Sequence, residues 1–489
     1  MIKRFDFTSY KNILFAALIL RIIAAFFSQG YGMHDDHFLI IEAAGSWVDG
    51  FDYNHWLPWS EGNRGAPEGH SFTYVGLNFI LISILKTIGI ADPKILMLMN
   101  RLVHALFSLL IVHFSYKIAN RLGGKKIAVQ VGWVMALLWV LPFLSVRNLV
   151  EITCIPFILW GVWVLLKDEK WQNALYAGLL LGLAVSFRYQ VGVFALGIAI
   201  VLFFQKKYKP FIWYSIGVLI VFGLTQGLVD YIIWGTPFAE FLGYTLYNMN
   251  EGTAYIPNNN YAMYFLVLMG LFLIPLGLLI GIGYFNSAKK YAIIFVPVLL
   301  FILFHTFYPS KQERFVLPVF PLFFILGILG IQPLLEKANW QKFWRFSWRT
   351  FWVLNIPILL FATFTYSKKS RVESMYYFYD VDLEGKSILQ EATGETGVSM
   401  LPRFYSGNWY LNAVARGDES QSLKVYENKE YAYILFCGEQ DLSARIDAYK
   451  TLYPALHLVK VCEPSAIDRL LRWLNPRNTN EYIEIWKIS

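Results

Sequence analysis

The sequence predicts an all-α polytopic membrane protein with a small soluble α/β domain at its carboxyl end. Three observations carry this prediction. Of 489 residues, 56% are hydrophobic and only 16% charged, and the apolar residues arrive in long uninterrupted blocks, as spanning helices require. Lys and Arg gather in short clusters between these blocks, so the net charge of +8 reads as membrane orientation and not as nucleic-acid affinity. From about residue 367 the composition turns polar, with strand and helix patterns alternating. The chain thus divides into a membrane domain over 1–366 and a soluble domain over 367–489.

Residues 12–28 form the first spanning helix, with Arg21 its one interior charge and Lys3, Arg4 and Lys11 ahead of it. The amino terminus is then cytoplasmic. No small-residue cleavage site follows, so this helix is expected to stay as an anchor. Directly after it come Met33-His34-Asp35-Asp36-His37-Phe38 and then Glu42, a concentration of carboxylates and imidazoles where charge is otherwise scarce. Carboxylates at the rim of a membrane protein are retained where water or a polar substrate reaches them, which makes this stretch a candidate site. The alternative is a solvated loop that happens to be acidic. Phe38 to Val48 reads as an amphipathic helix on the membrane surface, ending near Gly50. Residues 50–71, rich in Trp, Gly, Pro and His, read as an ordered interfacial loop, while an aromatic interface girdle explains the tryptophans equally well.

Apolar runs follow near 73–90, 96–119, 127–146, 152–166, 171–187, 189–205, 211–233, 261–284, 291–308, 315–335 and 350–366. The links Arg121–Lys126, Lys167–Lys170, Lys206–Lys209, Lys289-Lys290 and Lys337–Arg349 are basic and belong on the cytoplasmic side. Counting every run as a crossing puts Arg121–Lys126 on the wrong side, so one early run must not cross. The run 73–90, which follows the surface helix and the Trp/Pro loop, is the candidate. About 11 crossings then satisfy every basic link. The acidic stretch, Arg147 to Glu151, the surroundings of Arg188, residues 234–260 and Tyr308–Arg314 all fall outside, and so does the tail.

In the tail, Glu430 to Cys437, Leu456 to Cys462 and Glu481 to Ile488 read as strands, and 440–452 and 464–474 as helices. Cys154 reads as a packed small hydrophobe, whereas Cys437 and Cys462 can pair if the tail faces an oxidising compartment. There is no zinc-type Cys/His spacing, and no metal or cofactor is expected; without a fixed-period repeat or a low-complexity segment the solenoid and linker readings drop out.

Two outer elements complement each other chemically. Asp35 and Asp36 are candidate general bases, and Lys311, Glu313 and Arg314 stand at the entrance of an apolar helix. Arg suits a phosphate because its fork donates two parallel hydrogen bonds, and Lys adds a point charge. A phosphate carried on a lipid would reach such a site laterally from the bilayer. Against this, Lys311 and Arg314 can be an interfacial snorkelling pair, and Arg188, between Phe187 and Tyr189, is either a third phosphate ligand or part of a tight outer turn.

These residues resemble a known family. His34-Asp35-Asp36-His37-Phe38 with Glu42 is similar to the signature HPDE-x-F/W-Q…E, His70-Ser71-Phe72-Thr73-Tyr74 to RS-Y/F-x-YP, and Asn100 to Gly123 to the RL-x-x-AL…RLFG helix. Lys311-Gln-Glu313-Arg314-Phe315-Val-Leu-Pro318-Val-Phe-Pro321-Leu resembles HKE-x-RF-L-x-P-x-x-PL. The family is the lipid-linked mannosyltransferases of GPI-anchor and N-glycan assembly, glycosyltransferase family 22, with the GT-C fold. The resemblance covers roughly residues 12–335 in order and suggests a bacterial relative. His34, His70, Ser310 and Gln312 depart from the pattern, where the family has Pro, Arg, His and Glu.

The resemblance implies inverting transfer of a sugar, typically mannose, from a polyprenyl-phosphate donor to a glycan or glycolipid acceptor at the bilayer. Asp35 falls on the catalytic acidic position and Asp36 on its neighbour. Lys311, Arg314 and Arg188 are the expected phosphate ligands, and His34, His37, Glu42, His70 and Glu313 the expected substrate contacts. The site would face the periplasm from an inner membrane, or the lumen of the endoplasmic reticulum. A transporter or flippase of lipid-linked sugars is the competing class. It would place its charges near the midplane and show repeats, neither of which the sequence has.

Overall fold

The computed structural model describes residues 6–63, 65–250, 259–383, 385–392, 400–409, 413–416, 431–474 and 482–488. Lys3, Arg4, residues 251–258 of the outer link and the first residue of two expected strands, Glu430 and Glu481, lie outside the described residues. The chain forms two compact units, each discontinuous in sequence. One comprises Met1–Ala25, His55–Leu77 and Arg101–Thr363, and the other Phe26–Asn54, Asn78–Asn100 and Phe364–Ser489.

The first unit is helical. Among the described residues four helices are long and apolar enough to cross a membrane: Tyr10–Phe27, Pro93–Leu137, Tyr208–Trp234 and Glu313–Glu336. Met263–Leu271 and Leu276–Asn286, bent by 117°, make a fifth if counted together. The apolar helices Phe72–Thr87, Val150–Leu165, Trp171–Phe187, Val191–Phe204 and Ala292–Phe307 are shorter. At 1.5 Å per residue a 16-residue helix covers about 24 Å, short of a hydrocarbon core of about 30 Å. The structure therefore supplies fewer full-length spans than the eleven crossings expected, because several apolar runs fold as broken pieces. Pro93–Leu137, conversely, is two of the expected runs joined end to end. Its 45 residues meet at Gly124, whose φ of 77° is non-helical and suits a residue without a Cβ.

Packing in this unit depends on close backbone approach. A Cβ on Gly178 would lie 2.1 Å from the Tyr214 carbonyl oxygen, and one on Gly217 2.5 Å from that of Leu175. Trp171–Phe187 and Tyr208–Phe222 thus touch backbone to backbone, the small-residue contact of helices in lipid. Arg21, the lone charge inside the first helix, is fully buried and structural. It donates to Ser108 Oγ at 2.9 Å and to the carbonyls of Met135 and Ala136 at 3.1 and 3.2 Å. These carbonyls end the Pro93–Leu137 helix and have no intrahelical partner, so a guanidinium satisfies them.

The second unit contains a five-stranded mixed sheet. Its strands are β1 Ser387–Glu391, β2 Ala413–Arg416, β3 Tyr431–Cys437, β4 His457–Cys462 and β5 Ile483–Lys487, in the order β2-β1-β3-β5-β4. β1 runs parallel to β2 and β3, while β5 is antiparallel to both its neighbours. The three strands and two helices expected from the sequence are present, the helices as Leu442–Leu452 and Ala466–Leu474. β1 escapes sequence reading because it is buried at every position and has no alternation. The possible pairing of Cys437 with Cys462 does not occur. Neither is in a disulfide, and both stand opposite Ile483, on the two strands that flank β5. Two strand spacings are about 9.6 Å, beyond the roughly 7 Å limit between Cα atoms of a disulfide.

Lys369–Tyr376 carries Glu373, which accepts from Lys94 Nζ at 2.9 and 3.1 Å and from the Tyr366 hydroxyl at 2.7 Å. Burial opposes its charge, but the Lys94 and Tyr366 donors outweigh it and hold the carboxyl below its usual 4.5. A carboxyl depressed on folding contributes stability that is present above its unfolded value and lost as pH falls through the folded one. Wild type should therefore melt above Glu373→Gln near neutral pH, with the gap closing once the pH drops below the glutamate range. A gap that persists in strongly acid buffer would mean that packing, and not charge, holds this contact.

Candidate active site

The expected site residues fall in two groups, one in each unit. In the second unit the acidic stretch is not a loop. It is the first turn of a helix, His34–His37, which passes through a wide π turn, Phe38–Glu42, into Ala43–Val48. Nor is this an amphipathic surface helix. Phe38, Ile41, Glu42, Ala43, Ala44 and Ser46 are all buried, and a Cβ on Gly45 would sit 2.7 Å from the Phe404 ring. The sequence pattern misleads because the segment 402–409 covers the face that looked lipid-facing.

The wide turn brings residues five apart onto one side. His37 Nε2 meets Glu42 Oε1 at 3.0 Å, with both side chains fully buried. Glu42 also accepts the Phe404 backbone N–H through both oxygens, at 3.1 and 3.0 Å, and the His37 ring stacks between Tyr31 and Tyr405. His37 and Glu42, expected as substrate contacts, instead clamp the helix in place. Asp36 is similarly engaged, accepting the backbone N–H groups of Gly32 and Met33 at 3.1 and 2.9 Å. Asp35 is half-buried and His34 exposed, its ring stacked on Phe38 at 4.4 Å. Burial, with help from His37 and Arg371, pulls His34 below its usual value, against the pull of Asp35.

In the first unit Arg188, at the end of Trp171–Phe187, and Arg314, in the 3₁₀ turn Glu313–Val319, converge on one carboxylate. Arg188 Nη1 lies 2.5 Å and Arg314 Nε 3.6 Å from Glu151 Oε1. Arg314 Nε also donates to Gln312 Oε1 at 2.7 Å. The two guanidinium carbons stand 5.0 and 5.7 Å from the centre of the Phe315 ring. Lys311 Nζ lies 5.3 Å over Tyr261. Lys311 is 4% and Arg314 8% exposed, so they do not reach water as a snorkelling pair would. Glu313, one residue before Arg314, is exposed.

His70 belongs to this unit. Its ring stacks on Trp56 at 4.1 Å, and its backbone N–H, with that of Gly69, donates to Glu240 Oε2 at 2.9 and 2.7 Å. Burial pushes Glu240 up to about 7, against the pull of those two donors and of the Trp234 indole. Ser71 and Thr73 are held by Gln226 at 2.9 and 2.7 Å, so the His70–Tyr74 element is a fastened corner. The structure brings together Arg188 with Arg314, and His37 with Glu42. The residue that sequence reasoning passed over is Glu151, although a lone carboxylate within an apolar block was the signal for it. Among the described residues no group of three or more His, Cys, Asp or Glu is arranged to hold a metal ion.

One unit is helical with a buried arginine–carboxylate cluster, and the other carries an acidic helix and a small sheet. The chain belongs to the Alg9-like mannosyltransferase family, whose model matches residues 12–406. It is similar to the mannosyltransferase APTG1 of Arabidopsis thaliana, 24% identical over 415 residues that cover 78% of this chain and 73% of that protein. In fold it is similar to ArnT from Cupriavidus metallidurans in the apo state, with a TM-score of 0.62 at 11% identity over 97% of each chain. ArnT described as bound to undecaprenyl phosphate aligns with a TM-score of 0.57 at 12% identity, over 98% of this chain and 97% of that one. The oligosaccharyltransferase of Archaeoglobus fulgidus aligns with a TM-score of 0.54 at 10% identity, over 87% of this chain and 68% of that one.

Proposed function

We propose that this enzyme moves a hexose, mannose by family, from a polyprenyl-phosphate donor to a hydroxyl of a glycan or glycolipid acceptor, with inversion. The observation that carries this reading is Arg188. Its Nη1 is anchored on Glu151, while Nε and Nη2 are buried without a hydrogen-bond partner among the described residues. A buried guanidinium with open donors fits an oxyanion, and a phosphate offers the matching pair of oxygens. The ArnT structure with undecaprenyl phosphate supplies the precedent for a lipid phosphate on this fold.

The reaction is a single displacement. The acceptor hydroxyl gives its proton to Asp35 as its oxygen bonds to the anomeric carbon. The bond from that carbon to the phosphate oxygen breaks, and its electron pair stays on the phosphate. Lys311, Arg314 and Arg188 stabilise the charge that grows there. Asp36 keeps the turn in shape, leaving one base. A family of transferases leaves the transporter alternative without support.

Purified protein in detergent, given mannosyl-phosphoryl-polyprenol and candidate acceptors, should release polyprenyl phosphate and form an inverted glycoside. Transfer from nucleotide sugars but from no lipid-linked donor would sink the reading. The active site is assigned to the periplasmic or lumenal side, with Phe72–Thr87 not crossing. Single cysteines at the exposed positions Glu68 and Ala91, in a cysteine-free background, should both react with an impermeant thiol reagent from outside. Labelling of only one would overturn that topology.

A further inference from the structure

Around Phe315 the polar atoms left without partners form a pattern of their own. The 3₁₀ turn Glu313–Val319, which carries Phe315, packs against Val150–Thr153, Met263–Leu271 and Ala292–Phe307. From the first comes Glu151, 1% exposed, whose Oε2 has no hydrogen-bond partner among the described residues. The second brings Tyr264, fully buried, which has the Gln312 backbone N–H beside it but donates its own proton to nothing described. From the third comes His305, 2% exposed, its ring centre 5.9 Å from that of Phe315 and 6.0 Å from that of Tyr264. His305 Nδ1 lies 2.8 Å from the Phe301 carbonyl oxygen, which can only accept, so Nδ1 carries the proton. Nε2 is then a bare acceptor, and it too is buried and unpartnered.

Native proteins leave few buried polar atoms unsatisfied, and each needs water or a ligand. Here an imidazole nitrogen and the Arg188 guanidinium stand near one aromatic ring, with a phenol hydroxyl on the ring beside that imidazole and a carboxylate oxygen on the group that anchors Arg188. The combination of two acceptors, one donor and an apolar ring face is what a pyranose presents to match: hydroxyls that donate and accept, and a flank of C–H groups. A lipid chain would leave every one of these atoms unsatisfied.

We infer that Glu151, Tyr264 and His305, around Phe315, form the subsite that holds the sugar ring of the donor, and so set which sugar is accepted. This rests on the reading of Arg188 as a phosphate ligand, since the sugar and its phosphate are bonded neighbours. Because Glu151 also anchors both arginines, the test uses the other two.

Displacement of a labelled polyprenyl phosphate from the whole protein in detergent measures two affinities without turnover, that of the mannosylated lipid phosphate and that of the bare one. Tyr264→Phe, which removes one oxygen, and His305→Gln should each weaken the mannosylated lipid by about 3- to 10-fold. Both should leave the bare lipid phosphate and the melting temperature unchanged. Equal weakening of both ligands, or a fall in melting temperature with it, would assign these groups to the fold and overturn the subsite. Unchanged affinity for both ligands would show that the unpaired atoms hold water only, and would overturn the subsite equally. Failure of the wild type to bind bare polyprenyl phosphate would instead sink the phosphate reading.

Discussion

Asp35→Asn should lower turnover by about 10²–10⁴-fold, the usual cost of losing a general base, with little change in melting temperature. The substitution is nearly isosteric and sits in a half-buried first turn, so the shape survives while the proton acceptor disappears. The loss should fall on kcat, because donor affinity depends on other residues. Asp36→Asn provides the contrast. One of the two oxygens that hold the Gly32 and Met33 N–H groups becomes an amide nitrogen and cannot accept, so the helix start loosens and stability and activity decline together. Near-normal turnover in Asp35→Asn would remove it as the base. A loss of yield in both variants, with normal specific activity in what remains, would make the acidic turn structural.

Arg314→Lys should cut kcat/KM for the donor roughly 10- to 100-fold, the scale of one or two charge-assisted hydrogen bonds, although the charge is kept. Lysine has no Nε, so the bond to Gln312 and the approach to Glu151 are lost, along with the fork that meets two phosphate oxygens at once. Glu151→Gln separates positioning from charge. It leaves Arg188 and Arg314 without their shared carboxylate, and breaking a buried ion pair costs about 3–5 kcal/mol, so this variant should lose stability as well as activity. A fully active Arg314→Lys would leave Arg188, with two nitrogens unpartnered among the described residues, as the principal phosphate ligand.

The class was legible in the chain's composition and charge pattern. Long apolar runs without charge have no stable place except in lipid or a large core, and the polar strand and helix patterns after 367 read as a folded α/β region, which the structure groups with Phe26–Asn54 and Asn78–Asn100 in one unit. Periodicity also located the later strands and helices of the tail, because each alternates or repeats on its own. The motif around Lys311 and Arg314 made a phosphate site an expectation through residue type, beside the alternative of a snorkelling pair.

Tertiary structure decided what each charge does. The carboxylates and imidazoles from His34 to Glu42 look equivalent in sequence, yet Asp36 caps its own turn and Glu42 holds His37 and Phe404, a partner 362 residues away. No local pattern encodes that distance. Glu151 and Arg188 are 37 residues apart and lie at the ends of different helices. They meet only because Trp171–Phe187 packs on Val150–Leu165, and it is this meeting that leaves Arg188 with open donors. The physical reason is common to both cases. Local sequence sets backbone conformation and which faces are apolar, whereas the partner of a buried charge is chosen by the packing of segments distant in the chain.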